Sequence, residues 1–212
     1  SDEASKPKIL QSFIRVQESG KAKQLLDLLT VENPDSCIIF CNTQEAVNGL
    51  YTFLSKAGLP IDKMHGGMVQ DDRTAVMEDF RKGRLRYLVA TDVAARGIDV
   101  DNVTHVVNYD VPEEKESFIH RTGRTGRAGK TGVALTLVTP SEERSWQGVT
   151  DFAQQEITEI DPPSARFVQH HKAAFEKKLQ ERPVIKRARN RELNKDITKV
   201  YFNGGKKKKL RA

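Results

Sequence analysis

The 212-residue sequence contains only two cysteines and no apolar run that approaches membrane-spanning length. A transmembrane helix needs about 20 consecutive apolar residues and no signal peptide is visible, so we expect no membrane contact and a cytoplasmic location. Cys37 and Cys41 lie four residues apart in one apparent strand, and this separation of about 13 Å is too long for a disulfide. Because no second cysteine pair could complete a zinc site, the sequence predicts reduced core cysteines and no bound metal.

The sequence also lacks a P-loop, the G-x-x-x-x-G-K-[ST] pattern whose backbone cradles nucleotide phosphates. Residues 204–206 read GGK, which has neither the spacing nor the hydroxyl residue of that pattern. Any phosphate chemistry of this chain must therefore depend on other residues.

The net positive charge lies in the C-terminal part of the sequence. The net charge is +6, but residues 181–212 hold 12 Lys or Arg against 3 Asp or Glu, so this part carries +9 and residues 1–180 carry −3. A basic segment of this kind suits contact with a nucleic-acid backbone that weakens as salt is added. The alternative interpretation is a solvated tail without a ligand.

Residues 120–129 (HRTGRTGRAG) form the most informative segment. Arg121, Arg124 and Arg127 recur every three residues between glycines. A guanidinium keeps its charge and grips a phosphate through two parallel hydrogen bonds, and glycine allows a partner to approach the backbone. The pattern predicts phosphate binding or stabilisation of phosphoryl transfer, and a solvated basic turn is the alternative.

Strand and helix patterns alternate every twenty to thirty residues, which predicts a parallel sheet with helices on both faces. Ligands of such folds bind in loops at the carboxyl ends of the strands, where we expect every phosphate-binding segment to lie. The predicted strands cover residues 8–16, 37–41, 61–64, 87–90, 103–108, 133–139 and 197–202. The predicted helices cover residues 21–29, 43–56 (capped by Thr43, with Phe53 inward), 70–81, 113–120, 141–155 (capped by Ser141) and 166–182.

Four segments resemble, in their order along the chain, the C-terminal motifs of the superfamily 2 helicases, and specifically of the DEAD-box RNA helicases. These segments are residues 36–43 (SCIIFCNT), 65–73 (HGGMVQDDR), 90–100 (ATDVAARGIDV) and 120–129. The likeness covers about residues 8–155, and residues 195–212 resemble the opening of the RNA-recognition domain in the bacterial DbpA/YxiN branch. The P-loop and the DEAD tetrapeptide of that family are missing, so the chain resembles the second half of the helicase.

The resemblance implies an α/β, RecA-like doubly wound parallel sheet for residues 1–160. A basic linker with one helix would follow over residues 161–195, and residues 196–212 would begin a truncated RNA-binding domain. The partner of the RecA-like domain would be the N-terminal RecA-like domain of the same protein. We expect a monomer, and self-association through residues 161–195 is the alternative.

In this family ATP lies between the two RecA-like domains, and Mg²⁺ is held mainly by the N-terminal one. The resemblance implies that Arg124 and Arg127 are arginine fingers, that Asp99 bonds the ATP ribose, and that His120 couples the ATP and RNA sites. Arg121 is expected to brace the loop. For Asp99, a turn or helix-cap role is an equal alternative.

The same resemblance implies sequence-independent contacts to the RNA backbone. The residues expected to make these contacts are Thr43, Gly67, Gln70, Arg73, Thr91 and Arg96. Helix capping alone would also explain Thr43, and Asp92 is expected to pin its own loop. A lone histidine before two glycines, such as His65, is more often structural than catalytic.

The resemblance implies ATP-driven RNA duplex unwinding during assembly of the large ribosomal subunit with its ribosomal RNA, and no activity from this chain alone. One alternative is an RNA-binding module without a catalytic role, which explains the basic tail but not the paired arginines. Another is a DNA helicase of the same superfamily, whose motifs fit residues 90–100 and 120–129 less well.

Overall fold

The computed structural model describes residues 8–96, 100, 102–127 and 129–181. A single sheet of seven strands runs through this part of the chain in the order β3-β4-β2-β5-β6-β1-β7, and every pairing is parallel. The predicted parallel sheet is therefore confirmed. The strands are β1 (Ile9–Arg15), β2 (Cys37–Phe40), β3 (Ile61–Met64), β4 (Tyr87–Ala90), β5 (His105–Asn108), β6 (Gly132–Val138) and β7 (Thr158–Glu159).

Helices cover both faces of the sheet, because alternate residues of each strand point to opposite sides. Cys37 and Ile39 of β2 face one apolar cluster, while Ile38 and Phe40 face the other. Helices α1, α2 and α7 pack on the first face, and α3 to α6 pack on the second. The helices are α1 (Lys21–Glu32), α2 (Gln44–Lys56), α3 (Gln70–Arg81), α4 (Asp92–Ala95), α5 (Lys115–Thr122), α6 (Glu143–Ala153) and α7 (Ala165–Glu181).

Several predicted boundaries agree with the structure, and a few details differ. Strands β3 and β4 and helix α3 have the predicted bounds, whereas β7 was not predicted. Ser141 does not cap α6. Thr139 and Glu142 form a capping box on a 3-10 turn (Pro140–Glu142), and α6 begins after that turn. Phe53 is not an inner residue of α2, because its position on the helix leaves it 38% exposed.

Helix α7 falls where a helix was expected within the linker, and it packs on the sheet domain. Phe175 is only 5% exposed and joins the apolar cluster beneath α1. Lys178 donates through Nζ to the carbonyl of Asn33 at 2.8 Å and pairs with Asp35 at 2.6 Å. The domain boundary at residue 160 stays a prediction, and the predicted strand at 197–202 lies outside the described residues.

The two cysteines are free and completely buried. Burial raises the pKa of both thiols, because a thiolate would lose its hydration inside the apolar core. Cys37 and Cys41 are therefore packing residues, as expected. Among the described helices, none is long and apolar enough to cross a membrane.

Candidate functional site

Arg121 lies at the centre of a polar network beneath the carboxyl edge of the sheet. It is 1% exposed, and its guanidinium grips both carboxylate oxygens of Asp92, with Nε to Oδ1 at 2.7 Å and Nη2 to Oδ2 at 2.6 Å. It also donates to Asn42 Oδ1 and to the carbonyl of Asp110, each at 2.8 Å, and lies over the ring of Phe40. Helical side chains tilt towards the start of their helix, which directs Arg121 from α5 to this edge.

This network ties together the loops that follow β2, β4 and β5. Asn42, Asp92 and Asp110 each lie two residues beyond the end of a strand. The predictions that Arg121 braces its surroundings and that Asp92 pins its loop agree with these contacts. Because a buried charge is stable only when it is paired and hydrogen-bonded, Arg121 holds the three loops in one arrangement.

Two threonines expected to contact RNA begin helices at this edge. Thr43 accepts a hydrogen bond from the Ala46 amide at 3.1 Å and is exposed. Thr91 accepts from the Ala94 amide at 3.4 Å and is 7% exposed. Each hydroxyl therefore caps a helix and keeps its own proton to donate. The capping alternative for Thr43 is correct, and capping does not exclude an RNA contact.

The loop after β3 and the first turn of α3 carry three further residues expected to bind RNA. Gly67 lies in the turn before α3, and Arg73 donates to Gln70 Oε1 at 3.4 Å across the first turn of that helix. The Arg73 Nε atom is buried without a hydrogen-bond partner in the described part of the protein. Among the described residues no side chain caps α3, but Asp71 and Asp72 in its first turn offset its attraction for a phosphate.

Arg96, another residue expected to bind RNA, is exposed and forms an ion pair at the surface. Its Nη2 atom lies 3.8 Å from Glu114 Oε2, and the side chains are 63% and 74% exposed. Water screens such a pair, so it contributes little to stability. The guanidinium of Arg96 can therefore exchange Glu114 for a phosphate at small cost.

The turn that carries Arg124 and Arg127 lies at the opposite, amino edge of the sheet. The Arg124 carbonyl accepts from the amide of Val103, which precedes β5, and Thr125 pairs with the same residue. The expectation that every phosphate-binding segment lies at the carboxyl edge is therefore wrong for this turn. The reason is length: the eight residues of α5 span about 12 Å, enough to run back along a four-residue strand.

The arginines of this turn are held by backbone carbonyls. Arg124 is half-buried and donates through Nη2 to the carbonyl of Ala95, the last residue of α4, at 3.3 Å. Arg127 is exposed and donates through Nε to the carbonyl of Gly123 at 2.7 Å. Each guanidinium presents five N–H groups in a planar fork, a geometry that suits a phosphate.

Gly126 has a role in packing that the sequence did not reveal. Its φ is +71°, and a Cβ atom there would lie 2.7 Å from Ile9 Cγ1 and 2.9 Å from the carbonyl oxygen of Lys8. A Cβ on Gly132 would lie 2.4 Å from the Gly126 amide. The part of the protein that closely approaches this glycine is therefore the start of β1.

The remaining predicted residues are less defined. His120 is exposed near the end of α5, and the described residues give its side chain no hydrogen bond. Asp99 lies outside the described residues. Asn42 and Asp110 were missed as partners of Arg121, although a polar residue just after a buried strand is the pattern that would have indicated them. No group of side chains able to hold a metal occurs in the ranges that the structure describes.

Comparison with known proteins identifies the family of this chain. Residues 20–129 match the model of the helicase conserved C-terminal domain, which is more than half of the chain. The chain belongs to the helicase C-terminal domain family. This helicase domain is 54% identical over 204 residues to the ATP-dependent RNA helicase DbpA of Bacillus subtilis, covering 96% of the chain and 43% of that protein. It is 40% identical to the DEAD-box ATP-dependent RNA helicase CshA of Bacillus cereus, covering 76% and 31%. The chain thus spans less than half the length of these curated relatives.

Solved structures place the helicase domain among DEAD-box proteins. Escherichia coli SrmB, bound to regulator of ribonuclease activity A, matches with a TM-score of 0.70 and 34% identity, covering 76% of this chain and 95% of that one. Saccharomyces cerevisiae Dbp5, bound to RNA and ADP BeF3, matches with a TM-score of 0.70 and 31% identity, covering 79% and 46%. The RecA-like α/β fold expected from the motifs is therefore confirmed.

Proposed function

We propose that this helicase domain works as the second half of an ATP-dependent RNA helicase. It would supply Arg124 and Arg127 to the γ-phosphate of an ATP held by an N-terminal RecA-like domain, with Asp99 on the ribose. The carboxyl-edge loops would hold the RNA backbone. The described residues offer no cluster of carboxylates for Mg²⁺, so the ion would be held by the N-terminal domain.

The observation that carries this proposal is the connection of α5 to both sets of loops. Arg121 bonds Asn42 and Asp92, the neighbours of the RNA-binding candidates Thr43 and Thr91. One turn later, Arg124 bonds the carbonyl of Ala95 in the helix that Thr91 caps. A shift of the RNA-contacting loops would therefore move the arginine that faces ATP, which suits an ATPase that responds to RNA.

Phosphoryl transfer explains why these arginines are useful. Charge spreads over the oxygens of the transferred phosphoryl group in the transition state, and an arginine finger that offsets this charge is worth about 10³- to 10⁵-fold in rate. His120, exposed on α5, would contribute hydrogen bonds at the interface between the two domains. All predicted RNA contacts are to phosphate and sugar, so this domain would bind RNA without sequence preference.

The test is RNA-stimulated ATP hydrolysis after fusion to the N-terminal half of a DbpA-type helicase, with Arg124→Ala compared with the parent. We expect turnover only with RNA present, and a loss of about 100-fold or more in the variant. Arg144→Ala is the matched control, because Arg144 is an exposed arginine on α6 that is not among the proposed contact residues. Equal rates with retained RNA binding would favour the RNA-binding module instead.

The finer parts of the proposal concern the whole protein. The similarity to DbpA supports a role on ribosomal RNA, in the cytoplasm, with the basic segment 182–212 adding contacts to the RNA backbone.

The chain would act as a monomer, because the apolar residues of α7 that are buried face α1. Light scattering should give the mass of one chain, and a dimer that persists at high salt would contradict this.

A further inference from the structure

His65 lies at the start of the loop that joins β3 to α3. It is 8% exposed, and both ring nitrogens have partners: Nδ1 lies 3.1 Å from the amide nitrogen of Gly67, and Nε2 lies 3.1 Å from Asn48 Oδ1 on α2. The Met68 amide also donates to the His65 carbonyl, which closes the turn. The imidazole therefore joins the loop to α2.

These contacts determine the tautomer of the ring. A backbone amide can only donate, so Nδ1 must be the unprotonated acceptor and Nε2 must carry the proton. Lys63 donates through Nζ to Asn48 Oδ1 at 2.6 Å, and an ammonium group also can only donate. The side-chain oxygen of Asn48 therefore faces both Lys63 Nζ and His65 Nε2. Because this oxygen accepts hydrogen bonds, the contact agrees with a protonated Nε2.

The same ring packs closely against Gly67. A Cβ atom on Gly67 would lie 3.2 Å from Nδ1 and Cε1 of His65 and 2.8 Å from Gln44 Oε1. A side chain at residue 67 would therefore require the imidazole and the flexible end of Gln44 to shift, and glycine lets the amide approach the ring without such a shift. Gln70, the first residue of α3, follows three positions later.

We propose that His65 is a positioning residue for RNA binding, which acts by accepting the Gly67 amide proton at Nδ1 and so sets the position of Gly67 and Gln70. This inference rests on the proposed RNA contacts of the loop. His65 itself would not touch RNA or ATP. Its contribution would be to hold the loop in its RNA-binding conformation before RNA arrives.

Two substitutions separate the functions of the two ring nitrogens. Asparagine presents an oxygen near the position of Nδ1 and can still accept from Gly67, whereas glutamine reaches the position of Nε2 and can bond only Asn48. In the fused two-domain protein, the RNA concentration for half-maximal ATPase should rise about five-fold in His65→Gln, as expected for one lost hydrogen bond. His65→Asn should stay close to the parent, and kcat and the KM for ATP should change in neither variant.

Nuclear magnetic resonance of the 212-residue chain tests the geometry without RNA. A scalar coupling across the hydrogen bond between the Gly67 amide nitrogen and His65 Nδ1 is expected, and its absence would overturn the assignment. Equal RNA defects in the two variants, at equal melting temperature, would show a general structural role and overturn the proposal. If the parent fusion gave no RNA-stimulated turnover, the proposed function would fail, whatever the coupling showed.

Discussion

At the scale of single residues, Arg121 links the chemistry of the site to its stability. Its guanidinium bonds three loops while it is almost completely removed from water. The same sequence segment contains Arg124 and Arg127, which look equivalent in the three-residue repeat. Burial separates them, because Arg121 is enclosed by its partners in the domain, whereas Arg124 is half-buried and Arg127 is exposed.

Replacing Arg121 should destabilise the domain strongly. In Arg121→Ala the Asp92 carboxylate and Asn42 lose their partner, and breaking a buried pair costs about 3–5 kcal/mol. Asp92 is 26% exposed on its side chain, so we expect about 3 kcal/mol in the free energy of unfolding by urea. Arg144→Ala, at an exposed position, should change it by less than about 0.5 kcal/mol. A loss below about 1 kcal/mol for Arg121→Ala would contradict the role assigned to it.

At the scale of elements, the arginine turn depends on close backbone packing. Gly126 packs against the start of β1, and Gly132 at the start of β6 packs against Thr125 and Gly126 of the turn. A side chain at Gly126 would combine a left-handed backbone conformation with a collision against the Lys8 carbonyl, which cannot move away as a flexible side chain would. This turn can therefore tolerate no larger residue at that point.

Gly126→Ala should lower the free energy of unfolding by about 2 kcal/mol or more, because the left-handed conformation alone costs about 1–2 kcal/mol. Gly148→Ala is the matched control, since nothing lies within 4 Å of a Cβ at this exposed position in α6. There alanine should stabilise the helix by about 0.5–1 kcal/mol. Urea midpoints of the two variants that shift in the same direction would contradict the packing argument.

The other element that the structure redefines is α7. The sequence shows few apolar positions over residues 166–182, and this pattern indicated a linker helix. The structure buries Phe175 against α1 and leaves Phe167 49% exposed. Periodicity cannot tell which of these two aromatics meets a neighbouring helix.

Phe175→Ala should cost about 3–5 kcal/mol in the free energy of unfolding, as for other buried phenylalanines. Phe167→Ala should cost well under about 1 kcal/mol, because about half of that side chain remains in water. Urea unfolding of the 212-residue chain measures both. If Phe175→Ala unfolded α7 alone while the sheet kept its midpoint, the helix would be an appendage of the domain and not a part of it.

At the scale of the whole molecule, the sheet separates two functional edges. The candidate RNA contacts Thr43, Gln70 and Thr91 follow strands at the carboxyl edge, while Arg124 lies at the amino edge. Helix α5 and the network of Arg121 connect the two. The proposed response of ATP hydrolysis to RNA therefore passes through a short, well-packed helix.

The stability of the whole domain should fall in alkaline solution. The pKa of both cysteines is raised by burial, so their contribution is complete below the unfolded pKa of about 8.5 and is lost as pH rises above it. At about pH 9.5 each unfolded thiol gains about 1.4 kcal/mol from ionisation that the folded thiol does not, so two contribute about 3 kcal/mol. Urea midpoints should therefore drop between about pH 7.5 and pH 9.5. The drop should be much smaller in the double variant Cys37→Ala and Cys41→Ala, and an equal drop would show that other groups cause it.

The sequence by itself determined the alternation of strands and helices, the bounds of β3, β4 and α3, and the motifs that identify the family. It also indicated that Arg121 and Asp92 serve the loop. These features are local, because they follow from periodicity, helix caps and residue chemistry within a few positions.

Only the tertiary structure decided which arginine is buried, which edge of the sheet carries Arg124, and whether Phe175 or Phe167 meets a neighbour. It also showed that Gly126 packs on β1 and that Gly67 makes room for His65. Each of these outcomes depends on contacts between residues on different elements, whose separation is set by the lengths and register of helices and strands. The spacing and the type of a residue do not show which distant segment of the chain will lie beside it.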